Sequence, residues 1–151
     1  MKPLIVLISV SIIAIFALKL INGDYNIQLS ARIAMSVMLI FTAMGHFMFT
    51  DGMSMMIPDF IPFKKELIYF TAIIEIFGAI GLHISQFRTM TAWLLILFFV
   101  LILPANIKAS MEQLDYQKAT FNGNGLGYLW FRVPLQILFI FWVYFSSIKI
   151  Y

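Results

Sequence analysis

Residues 67–84 read LIYFTAIIEIFGAIGLHI, a largely apolar run with one carboxylate near the middle, Glu75. Eighteen such residues fall in the range of about 17–25 that crosses a hydrocarbon core as a helix. A carboxylic acid at the centre of such a helix costs roughly 2.5–3.5 kcal/mol on insertion scales. Its presence demands a buried partner, so the architecture turns on what faces Glu75.

The remainder of the chain has the same character. Of 151 residues, 62% are hydrophobic and 11% charged, so a water-soluble domain could not hide the apolar surface. Ten Lys and Arg stand against seven Asp and Glu without a basic run, which leaves no nucleic-acid footprint. There is no cysteine, so disulfides, thiolate metal sites and iron–sulfur ligation are excluded. The two histidines, His46 and His83, show no metal-ligand spacing, and no metal site is expected.

Five apolar segments emerge, at about residues 4–20, 33–50, 67–84, 91–107 and 128–148. In lipid every backbone group must be bonded within its own segment, so each is predicted to be a helix. The fold class is therefore all-α: a single polytopic membrane helix bundle over 1–151. Residues 1–22 fit a retained helix better than a signal peptide, because the run is long and no small-residue cleavage site follows. The connection 51–66, with Met53, Met55, Met56, Phe60 and Phe63 between prolines, is too short to span. It reads as an interfacial segment whose Met and Phe enter the membrane, with Lys64 and Lys65 at headgroup level. Lysine and arginine divide five against four between the two sides, too evenly to set orientation.

Topology brings polar residues together. Let side A be the side carrying the connections 51–66 and 108–126. His46 lies about 6 Å below the side-A end of its helix and Glu75 about 12 Å below. The fourth helix ends there with Pro104-Ala105-Asn106. Arg132 and Gln136 follow on one face of the last helix, four residues apart. The expected site is a Glu75–Arg132 ion pair completed by His46, Asn106 and Gln136. Small residues beside Glu75, namely Ala72, Gly78 and Ala79, would admit a neighbouring helix. Such a pair either holds a ligand or proton or only fixes helix register. The other half of the membrane offers little beyond His83 and Gln86. Tyr128, Trp130, Trp142 and Tyr144 fit interfacial aromatic belts.

The ordered motifs Gly45-His46-Phe47, Pro58…Pro62, Tyr69…Glu75-Ile76-Phe77-Gly78-Ala79, Pro104-Ala105-Asn106-Ile107 and Arg132-x-Pro134-Leu135-Gln136 resemble the DoxX-like family of small bacterial integral membrane proteins. The resemblance covers about residues 33–146. It implies a four-helix core, with the first helix as an N-terminal addition, in the bacterial cytoplasmic (inner) membrane. Members of that family are similar to the membrane subunit of a thiosulfate:quinone oxidoreductase, and distant relatives are described as assembly chaperones.

Two readings follow. In one, the chain is a non-catalytic membrane component or assembly partner that meets a membrane protein through 51–66. In the other, it is a quinone- or small-lipophile-binding subunit of a redox system. No cofactor motif is evident; a quinone is the candidate under the second reading, and the chain carries no electron carrier of its own.

Overall fold

The computed structural model describes residues 2–149. It contains α1 (Lys2–Asn22), α2 (Ile27–Met48), a short α3 (Thr50–Ser54), α4 (Lys64–Gly81), α5 (Arg88–Leu101), α6 (Leu103–Met111) and α7 (Gly125–Val143), the last continued by a π-helical turn, Tyr144–Ile148. No strand occurs among the described residues; one bridge joins Asp115 to Thr120. The protein is an all-helical bundle.

Four stretches are long and apolar enough to cross a membrane: Lys2–Asn22, Ile27–Met48, Arg88–Met111 and Gly125–Ile148. Five were expected. The difference is α4, whose 18 residues include Lys64, Lys65, Glu66 and Glu75. It ends at Gly81, so Leu82, His83 and Ile84 form a turn rather than a further helical turn. It nevertheless packs extensively against α2.

The helices α2, α4, α5 and α7 form a ring in which each packs on its two neighbours, and α1 straps the outside of α2. Side chains from all five meet in one core: Leu7 from α1, Met35, Met38 and Leu39 from α2, Ala79 from α4, Leu95 and Phe99 from α5, and Phe139 and Val143 from α7. The small-residue face of α4 serves as expected. A Cβ at Gly78 would lie 2.6 Å from Leu95, and one at Gly81 would lie 2.4 Å from Thr91. These two glycines thus set the close approach of α4 to α5.

The helix boundaries have local causes. The Asn26 side chain accepts from the Leu29 amide at 2.9 Å, so α2 begins at Ile27 rather than near residue 33. This brings Arg32 inside the bundle. Pro104 has no amide hydrogen, and the helix breaks at Ile102 between α5 and α6. Pro134, by contrast, sits within α7 without ending it.

The connection on side A differs from its expected form. Met56 and Ile57 are buried, and Met53 and Met55 pack with Met56, Ala109, Leu114 and Tyr116 in a small second core. The ammonium of Lys108 donates to the carbonyls of Met55 at 3.4 Å and Ile57 at 2.9 Å. The methionines therefore face inward and fasten the connection to the 112–124 loop as a cap. Among the connection's Met and Phe side chains, Phe60 and Phe63 are the ones that project, 85% and 76% exposed.

Candidate functional site

The five expected site residues fall into two groups. The first lies between α2 and α4. Thr42 and His46 share one face of α2, and Thr71 and Glu75 share the facing side of α4, each pair four residues apart. Glu75 is 4% exposed, and its Oε2 lies 3.7 Å from His46 Nε2 without a hydrogen-bond partner. The Thr71 hydroxyl donates to its own helix at the Ile68 carbonyl, 2.7 Å away. Its oxygen is then free to accept from His46 Nδ1 at 2.9 Å, with the Ile68 carbonyl a second acceptor at 3.3 Å.

This network assigns the imidazole hydrogen to Nδ1 and turns Nε2 toward the carboxyl group. A nitrogen lone pair facing a buried carboxylate oxygen is repulsive, and one proton placed between them makes the contact attractive. The pair is thus built to hold one proton, as imidazolium–carboxylate or imidazole–carboxylic acid.

The second group lies between α6, α7 and the cap. Arg132 donates through Nη1 to Asn106 Oδ1. Its guanidinium carbon sits 5.5 Å from the centroid of Tyr116 and 5.1 Å from that of Tyr128. Both distances suit cation–π contact. Deeper in α7, Gln136 donates to the Phe99 carbonyl at 2.7 Å, beside the break that precedes Pro104.

The expected Glu75–Arg132 ion pair is therefore not formed. Its helices sit on the diagonal of the ring, where α4 and α7 make no substantial contact. A shared half of the membrane brings two residues to similar levels, whereas pairing also requires adjacent helices. Glu75 faces its neighbour α2, and Arg132 turns to α6 and the cap.

Two clefts of about 380 and 390 Å³ lie on side A around Lys108 and Glu112. The first is lined by Met55, Asp59, Lys64 and Phe121 as well. Neither reaches His46, Glu75, Arg132 or Gln136. Hydrogen bonds from Lys64 and Lys108 hold the exposed Asp59 carboxyl below the usual carboxylate range. No cluster of three or more His, Asp or Glu suited to a metal ion occurs among the described residues.

Sequence reasoning missed the threonines, although the repeated four-residue spacing of Thr42/His46 and Thr71/Glu75 was a usable signal. It also undervalued the opposite end. There Arg32 is 8% exposed and donates to the Ser146 carbonyl at 2.9 Å. Ser36 bonds the Ala79 carbonyl at 2.8 Å and His83 Nε2 at 3.0 Å. Trp142, assigned to an aromatic belt, also donates to the Ala31 carbonyl at 2.9 Å.

A family model described as Domain of unknown function (DUF8561) matches residues 35–147. The range runs from α2 to the π-helical turn and leaves out α1. No curated protein and no solved structure matches the chain.

Proposed function

The chain belongs to the DUF8561 family, and we propose that it is a non-catalytic membrane component that engages a partner membrane protein through its side-A cap. The observation that carries this reading is Phe63. It is 76% exposed and adopts φ +54°, a left-handed backbone that costs a bulky residue on the order of 1–2 kcal/mol. Glycine or asparagine would occupy that position with less strain. The first turn of α4 and an ion pair hold the strained turn. Leu67 donates to the Phe63 carbonyl at 3.0 Å, and Lys64 pairs with Asp59 at 2.7 Å. A rigid loop that projects Phe60 and Phe63 has the form of an interface anchor, with little ordering entropy to lose on binding. The setting we propose is a bacterial cytoplasmic membrane.

Photo-crosslinking in native membranes tests this reading. A photoreactive residue at 60 or 63 is expected to give one defined protein adduct. The same probe at Phe145, exposed at the opposite end, is expected to give none. Adducts with lipid alone at 60 and 63 would refute a protein partner.

The buried pair favours a second reading, a quinone- or small-lipophile-binding subunit of a redox system. Glu75 Oε2 is buried without a hydrogen-bond partner, and a headgroup hydroxyl entering between α2 and α4 would satisfy it. The DoxX-like order of the motifs supports the same direction. Native mass spectrometry of gently extracted protein tests it: a co-purifying quinone that Glu75→Gln loses supports this reading, and quinone-free wild type opposes it.

A further inference from the structure

We propose that Arg32, His83 and Arg88 form a binding site for a phosphate group at the end of the bundle opposite the cap. The site has a buried floor and an open rim. Arg32 supplies the floor, about 7.5 Å along α2 from Ile27 at 1.5 Å per residue. Of its guanidinium hydrogens, one is used on the Ser146 carbonyl, and Nε is buried without a partner. One turn further along, the Ser36 hydroxyl spends its hydrogen on the Ala79 carbonyl. It must then accept from His83 Nε2, so Nδ1 of that exposed ring donates to an anion when the imidazole is protonated. Arg88 opens α5, donates through Nε to the Leu82 carbonyl at 3.3 Å, and keeps its two terminal nitrogens for a ligand.

The three groups share one end of the bundle: Ser36, one turn from Arg32, bonds His83, and Arg88 bonds the carbonyl of Leu82 beside it. None pairs with an Asp or Glu among the described residues, whereas Lys64, Lys65 and Lys108 at the cap each do. A buried guanidinium without a counter-ion is costly, and an anion that docks on it relieves both its desolvation and the repulsion from its neighbours. Phosphate oxygens suit the planar fork of arginine. The first turn of α5 adds a positive dipole end at the same rim. The depth of Arg32 is that of the headgroup region, so the phosphate comes from either an anionic lipid or the adjoining solution.

The test uses the full chain, purified in mild detergent and stripped of lipid. Native mass spectrometry and thermal unfolding are run with added phosphatidylglycerol, phosphatidylcholine or inorganic phosphate. Wild type is expected to retain phosphatidylglycerol at least tenfold over phosphatidylcholine. Arg88→Gln, on the rim, is expected to lose that retention at least fivefold with an unchanged circular dichroism spectrum. Lys19→Gln, at the same end, should change nothing. If millimolar inorganic phosphate displaces the lipid and raises the unfolding temperature equally, the site stands and its ligand is the free ion. The proposal is overturned if wild type shows no preference among the three additives, or if folded Arg88→Gln behaves as wild type. Arg32→Gln serves only as a supporting variant, because its loss also removes the bond to Ser146.

Discussion

Gly52→Ala separates the two halves of the cap. Gly52 lies in α3 against the 112–124 loop, and a Cβ there would stand 1.8 Å from the Tyr116 carbonyl oxygen and 2.6 Å from its carbon. These are backbone atoms, so no side-chain rotation relieves the clash, and the loop must retreat by more than an ångström. Overpacking of this kind costs about 1–3 kcal/mol. The helix-propensity gain of alanine over glycine returns up to about 1 kcal/mol, but only inside a five-residue helix. Net destabilisation of the closed cap by about 1–2 kcal/mol corresponds to roughly 5- to 30-fold more frequent opening. Hydrogen exchange read by mass spectrometry in lipid nanodiscs measures this directly. Faster exchange is expected at the amides of Asp115 and Gly123, which are bonded to Thr120 and Gln113 at 2.7 and 2.6 Å. Exchange in α2 and α4 should not change. Gly127→Ala is the control, because a Cβ there meets nothing within 4 Å. Unchanged exchange in 112–123 for Gly52→Ala would show that α3 does not rest on this loop.

Further outcomes are expected elsewhere. His46→Leu leaves Glu75 facing an apolar side chain and should destabilise by about 3–5 kcal/mol, while His46→Leu/Glu75→Leu should return to within about 1 kcal/mol of wild type; additive losses in a double-mutant unfolding cycle would sink the pairing. Gln136→Leu strands the Phe99 carbonyl beside the helix break and should cost about 1–3 kcal/mol, read from the unfolding midpoint, whereas a neutral effect would mean that this carbonyl is satisfied otherwise. Asp59 has a folded pKa below its ordinary 3.8, so the stability it confers is fully present above that value and disappears as pH falls through the lowered one. The difference in unfolding temperature between wild type and Asp59→Asn should therefore be constant from neutral pH to about 5 and collapse below about 3.8. A difference that already fades near pH 6 would point to another group.

Some of this protein could be read from its sequence because the responsible physics is local. Apolar runs of membrane length determined an all-helical bundle, since lipid leaves backbone groups no external partners. The small face of α4 at Ala72, Gly78 and Ala79 was legible for the same reason. Glu75 declared itself as the polar centre because a lone carboxylate in such a run requires a partner. Its partner was not legible. Helix depth follows from counting residues, but adjacency follows from the order of helices around the ring, which only packing settles. Arg132 shares the half of the membrane with Glu75 and stands on the diagonal helix, so His46 meets Glu75 instead. The inward turn of Met53, Met55 and Met56 has the same origin: the second core they join is supplied by Ala109 and Leu114, more than fifty residues away. Arg32 entered the bundle through a single cap at Asn26, which moved the start of a helix from about residue 33 to Ile27.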